Sequence, residues 1–309
     1  MNTFEHVLTG LDGANPLAFF AALGTLRVLH EHAQDAHLRW ELRGNWTPIL
    51  RCSVSSIAEL CSLLERDREL CTNDLALDLT YGEDGNERDL KAPLHVFAEY
   101  LEKLATSATP ENRRSVDWGA AFGSEIIADG QGKAVKPTAL HFTAGQQKFL
   151  QMVRDIHRGI TAEDIHEALV GPWQSNRPLA VMNWDATVTR DYALRAKNPS
   201  GDKKLGNPGA DWLAIRGLAA FPCFPVGTQL RTTGCWGGWK NGGFGWPLWT
   251  GFVSWNVACS IIGSDWSKTP GKELAARKIG ALFSSAIKRS DQGGYGNFSP
   301  ARDAREKGD

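Results

Sequence analysis

Residues 190–204 carry five cations, Arg190, Arg195, Lys197, Lys203 and Lys204, interleaved with Tyr192, Asn198 and Ser200. Guanidinium and ammonium groups neutralise phosphates, while amide, hydroxyl and backbone N–H groups fix register along a strand. The breakers Asn198-Pro199-Ser200-Gly201 and Gly206-Asn207-Pro208 predict a loop that offers its lysines outward. The competing reading is a solvated charged loop with a helical Asp191–Arg195 pair. A second stretch, residues 234–249, holds six glycines and four tryptophans. Glycine at this density admits positive φ and close backbone approach. Trp236, Trp239 and Phe244 suit stacking on bases or wedging into a groove, with Lys240 beside them for phosphate and Asn241 for a base edge. Equally, tryptophans here can cover the end of a sheet, and Trp246, Trp249 and Trp255 read as core.

Self-sufficient catalytic motifs are absent. The sequence has no G-x-x-x-x-G-K-[ST], no G-x-G-x-x-G after a strand, no H-E-x-x-H and no G-x-S-x-G. His157 and His166, with Asp155, Glu163 and Asp164 close by, sit on two successive helical patterns, where they can either meet at a metal or lie on solvated faces. His30 and His32 are two apart on one helix and cannot face one site together. No cofactor or metal is expected. An enzyme remains open as an alternative, because sites assemble from distant residues; a metal-dependent nuclease using His141 and His157 is its concrete form. A protein-binding adaptor that uses tryptophan surfaces is another.

The elements that must position these groups read as α+β, with helices and short antiparallel sheets in two lobes and no regular βα alternation. A strand is predicted over residues 4–9. Asn15 and Pro16 then start a helix that runs to about residue 31, apolar nearly all round and therefore buried on several faces. Alternation over 37–42, the Gly44-Asn45 turn and residues 47–53 predict a hairpin. Helical patterns follow at 56–69, 93–105, 143–157, 161–169 (with a capping signature from Thr161 to Asp164), 211–221 and 271–289. Strands are predicted at 75–79, 181–188 and 230–233, a long loop over 108–137, and a disordered tail over 290–309.

Charge divides the chain. Residues 1–170 hold 16 Lys plus Arg against 25 Asp plus Glu, a balance of −9; the rest hold 18 against 10, a balance of +8, and together these give the net −1. Nine of the 12 tryptophans also follow residue 170. This predicts an acidic lobe, 1–170, that packs on other proteins, and a basic Trp/Gly-rich lobe, 171–289, that meets nucleic acid. The first residues lack a cationic and apolar leader, and no stretch approaches the roughly 20 apolar residues of a membrane helix, so no secretion and no membrane are expected. Six scattered cysteines without a C-x-x-C pair predict reduced thiols in a cytoplasm and no zinc site.

Three islands carry a family resemblance. The opening Leu11-Asp12-Gly13-Ala14-Asn15-Pro16-Leu17-Ala18-Phe19-Phe20-Ala21-Ala22-Leu23-Gly24-Thr25-Leu26-Arg27-Val28-Leu29 resembles the start of CRISPR-associated proteins of the less common type I subtypes, as does the Trp-bearing strand after it. The stretch from Asp185 through Arg190-Asp191-Tyr192-Ala193-Leu194-Arg195 to Pro199-Ser200, and Phe244-Gly245-Trp246-Pro247-Leu248-Trp249, are similar to that group as well. The resemblance implies a non-catalytic subunit of a Cascade-like surveillance complex, of the large-subunit or accessory kind. Such subunits lie beside guide RNA, read the short motif flanking a double-stranded DNA target, and help recruit the nuclease-helicase. The chain is shorter than typical large subunits. On this reading Arg190, Arg195, Lys197, Asn198, Lys203, Lys204, Trp236, Trp239, Lys240 and Asn241 would contact nucleic acid.

Overall fold

The computed structural model describes residues 2–187, 205–289 and 295–307. Strand β1 (Phe4–Val7) leads into α1 (Pro16–Glu31), followed by the hairpin β2 (His37–Arg43) and β3 (Asn45–Cys52). Helices α2 (Ile57–Leu70), α3 (Leu94–Ser107) and α4 (Arg114–Phe122) come next, then β4 (Gly123–Ala128), β5 (Val135–Pro137), α5 (Phe149–Gly159) and α6 (Ala162–Val170). The remainder comprises α7 (Pro208–Gly217), β6 (Cys223–Val226), β7 (Gln229–Thr232), β8 (Cys235–Trp236), β9 (Gly242–Trp249), α8 (Trp255–Ile262), α9 (Gly271–Ala276), β10 (Ile279–Arg289), β11 (Gly296–Phe298) and β12 (Arg302–Asp303). The strands form antiparallel sheets: β1-β3-β2, β11-β10-β9-β8 with β12 also on β10, and the pairs β4-β5 and β6-β7. The fold is α+β, as the sequence patterns predict.

Helix α1 forms for local reasons and is kept for global ones. The Asn15 side chain accepts from the Leu17 N–H at 3.1 Å and Pro16 occupies the first turn. Residues 16–29 are all buried, which the all-round apolar pattern requires. Phe19 and Phe20 enter an aromatic cluster with Trp40, Trp184, Phe221, Phe244, Trp246 and Trp249. Three of its buried indoles are satisfied: Trp246 Nε1 donates to the Gly13 carbonyl and Trp249 Nε1 to that of Leu38, both at 2.7 Å, and Trp184 Nε1 to that of Leu140 at 3.0 Å, whereas Trp40 Nε1 has no hydrogen-bond partner among the described residues. The first two bonds tie β9 to the first helix and first hairpin. One buried cluster therefore draws on both halves of the chain, and the charge boundary near residue 170 is not a packing boundary.

The described parts of the three quoted stretches meet at the start of α1. Asn15 Nδ2 donates to Asp185 Oδ1 at 2.9 Å, and Gly13 accepts from Trp246. Five segments differ from the sequence patterns. Residues 75–77 form a 3-10 turn capped by Asp74 rather than a strand. Residues 181–187 join no strand, with Asn183 at φ +65°. The 108–137 stretch contains α4, whose Trp118 is fully buried, and the β4–β5 pair. The expected last helix stops at Ala276; Lys278 turns at φ +58° and β10 begins. In the expected disordered tail, Gly296–Phe298 pairs with β10, and the Phe298 ring packs 4.8 Å from Phe142. Burial of Phe298 explains why this part of the tail is held.

Candidate nucleic-acid interface

Strand β8 and the turn after it build the surface. The Trp236 indole lies on β9: a Cβ at Gly243 would sit 2.3 Å from Trp236 Cζ2, and one at Gly245 3.0 Å from Cζ3. Those glycines let an indole rest on a strand, and Trp236 remains 47% exposed. Gly237, at φ +75°, starts the turn; a Cβ there would meet the Asn241 carbonyl oxygen at 2.3 Å. Lys240 and Asn241 are exposed on this turn. Trp239 is half-buried because the Arg289 guanidinium lies over its ring, 3.6 Å from the centroid, with Lys91 Nζ at 5.9 Å. Arg289 is held in turn by donating to the Ala139 and His141 carbonyls at 2.8 and 2.9 Å. Burial pushes its guanidinium down to about 10, opposed by the Cys235 thiol, so it stays charged at neutral pH.

Beside Trp239 opens a recess of about 80 Å³. Lys136 from β5, Arg231 from β7 and Arg289 from β10 line it, with Trp236 and Trp239 as its aromatic walls. Its described lining includes no Asp or Glu. Lys136 and Arg231 form no ion pair among the described residues. A concave, cationic, carboxylate-free surface with aromatic walls suits a phosphate backbone and its bases.

Of the residues expected to contact nucleic acid, Trp236, Trp239, Lys240 and Asn241 lie together on β8 and its turn. Arg190, Arg195, Lys197, Asn198, Lys203 and Lys204 lie outside the described residues. Phe244, a candidate for stacking on bases, instead sits fully buried among Phe19, Phe20 and Trp246. Trp246, Trp249 and Trp255 are core, as expected. The pattern missed Lys91, Lys136, Arg231 and Arg289, isolated cations from four separate stretches. Reading 279–289 as alternating strand would have put Arg289 beside the glycine-rich strand.

The histidines named for an enzyme are structural. His141 is fully buried; its Nε2 lies 2.9 Å from both Asp89 Oδ1 and Thr143 Oγ1. A relay needs the acid and the nucleophile on opposite ring nitrogens, and here both crowd one. His157 is buried on Trp212 with its Nε2 2.9 Å from the Arg68 carbonyl, whereas His166 is exposed. Among the described residues no group of three or more His, Cys, Asp or Glu can hold a metal ion. All six cysteines are free thiols.

Asp89 gives the fold a pH dependence. Burial alone would raise its carboxyl, but the His141 ring and the Phe149 and Leu90 N–H groups outweigh this and bring it down to about 2. Burial pushes the His141 imidazole down despite the carboxylate beside it. A depressed carboxyl contributes stability that is present above its unfolded value near ~4 and is lost as pH falls toward about 2. Denaturant unfolding of Asp89→Asn is expected to show about 2 kcal/mol less stability than the parent at pH 7 and little deficit near pH 2. A deficit that does not change with pH would show that Asp89 is not held as an ion.

Among the described residues no helix is long and apolar enough to cross a membrane. No family model matches the chain, and no curated protein matches it.

Proposed function

We propose that this chain is a non-catalytic, nucleic-acid-contacting subunit of a type I RNA-guided antiviral complex. It would act in the cytoplasm beside other effector subunits, touch guide RNA or the double-stranded DNA target near the flanking motif, and aid the nuclease-helicase. The observation that carries nucleic-acid contact is the carboxylate-free recess where Lys136, Arg231 and Arg289 converge on Trp236 and Trp239. The assignment to a CRISPR complex rests on the three-island resemblance. Lys240 and Asn241 would extend the surface toward the duplex; the cations of 190–204, outside the described residues, remain candidates for phosphate contact on their charge alone.

Lys136→Ala with Arg231→Ala tests the contact. Each lost phosphate contact removes a released counterion, so the slope of log affinity on log salt should flatten by roughly 1–2. Affinity should fall for all sequences alike. An unchanged slope and affinity would remove the recess from the interface. For the complex itself, native purification from the host should recover a uniform small RNA with several other subunits; recovery alone and free of nucleic acid would overturn it. A purely protein-binding adaptor is favoured by exposed apolar side chains such as Phe224 and Val226 on β6, and intact assembly with unaltered target binding in the double variant would support it.

A further inference from the structure

Trp236 belongs to two cavities. One side bounds the cationic recess; the other bounds a cleft of about 580 Å³ whose walls include Trp266, Phe283 and Pro247. That volume lies within the roughly 300–1,000 Å³ of small-ligand sites. The walls are fixed before any ligand arrives. Trp266 Nε1 donates to the Ile261 carbonyl at 2.7 Å, and half-buried Phe283 ends a ring column: Phe244 to Trp246 at 5.1 Å, Trp246 to Phe283 at 5.8 Å. Trp236 itself lies over two glycines of β9.

The two cavities differ in charge, and that difference orients a ligand. The recess has three cations and no carboxylate in its described lining; the cleft has no Lys or Arg there and one carboxylate, Asp265. Asp265 Oδ1 accepts the Ser267 N–H at 3.0 Å and its hydroxyl at 2.6 Å, which holds the carboxylate on the exposed rim. A phosphate is attracted to the first cavity and repelled from the second. A nucleobase fits the second: its face stacks on aromatic rings and its N–H groups can donate to a carboxylate.

We propose that Trp236 is the divider of a nucleotide site for single-stranded nucleic acid, with the phosphate in the Lys136–Arg231–Arg289 recess and an unstacked base in the Trp236–Trp266–Phe283 cleft. This rests on the nucleic-acid reading above and names its substrate class. A duplex keeps its bases stacked and paired and offers no free face to the cleft, so it gains nothing from Trp236.

The test uses the full chain and a labelled short RNA in three forms: single-stranded, single-stranded with abasic nucleotides, and duplex. The wild-type chain is expected to bind the abasic strand roughly 5- to 100-fold more weakly than the intact one, a comparison that needs no variant. Trp236→Ala should lose the same factor on the intact strand, lose little on the abasic strand or duplex, and leave the salt slope unchanged. Trp236→Phe, which keeps a stacking ring, should recover most of the loss. Salt-dependent binding that is indifferent to bases and to Trp236 would overturn the base site alone. A wild-type chain that binds none of the three would overturn the nucleic-acid reading along with it. Unaltered RNA binding by Trp236→Ala, with loss of partner subunits on purification, would make the cleft a protein-docking site instead.

Discussion

Gly24→Ala is expected to destabilise the protein by about 3 kcal/mol, whereas the same change in an ordinary helix interior gains up to about 1 kcal/mol. The reversal follows from how α1 and α7 cross. A Cβ at position 24 would stand 1.7 Å from the Leu213 carbonyl oxygen and 2.7 Å from its carbon. On the facing helix, a Cβ at Gly217 would stand 2.2 Å from the Phe20 carbonyl oxygen. Both obstacles are backbone, so no side-chain rotation makes room and the helices themselves must part. Every residue of α7 and residues 16–29 of α1 are buried, so parting them opens the packing around Phe19, Phe20, Trp212 and Leu213. The denaturant midpoint should fall in Gly24→Ala and Gly217→Ala at nearly constant slope. Gly271→Ala, at a position with nothing within 4 Å, should be neutral or slightly stabilising. A stabilised Gly24→Ala protein would mean that the helices do not cross there.

That glycine also shows what the sequence could and could not reveal. Asn15, Pro16 and the apolar run announce α1 because caps and periodicity are local, and Gly44-Asn45 announces the first hairpin for the same reason. Thr161 and Asp164 form the capping box that their spacing predicts. Strand β10 was hidden: Ala281 and Ala286 favour helix, and only pairing with β9, β11 and β12 decides otherwise. The glycines of 234–249 correctly signalled close approach to backbone, but what approaches Gly243 and Gly245 is the chain's own Trp236. The recess was least legible. Lys136, Arg231 and Arg289 are far apart in sequence, and no local pattern predicts which strand edges bring them together. The described parts of the quoted motifs are joined by hydrogen bonds from Asn15 to Asp185 and from Trp246 to Gly13, contacts that no local pattern announces.

Arg216→Ala is expected to lower stability by about 3–5 kcal/mol, the cost of leaving buried charges without their partner. Arg216 is 1% exposed; its Nε donates to Asp67 Oδ2 at 2.8 Å and its Nη2 to Glu31. Glu31 also accepts from Arg27 Nε at 2.6 Å, and Arg27 reaches Asp117 on α4 at 2.6 Å. The cluster thus bolts α2 and α4 to the same α1–α7 pair that Gly24 and Gly217 bring together. Burial would lower the Arg216 guanidinium, but the Asp67 and Glu31 carboxylates outweigh it and hold it above its ordinary value. Burial would raise Glu31, and the Arg216, Arg27 and Arg114 cations outweigh that and hold it low. Stability from a lowered carboxyl is present above its ordinary value and lost as pH falls. The deficit of Arg216→Ala should therefore be greatest near neutral pH and shrink below the usual glutamate range. Arg216→Met combined with Asp67→Leu should recover most of the loss, because the apolar pair removes both fully buried charges, Glu31 keeps Arg27, Arg114 keeps Asp74 at 3.4 Å, and His32, which also loses Asp67, is partly exposed to water. A single variant that costs under about 1 kcal/mol would mean that water reaches the cluster and screens it. Full loss in the combined variant would assign the stabilisation to the geometry of the guanidinium fork itself.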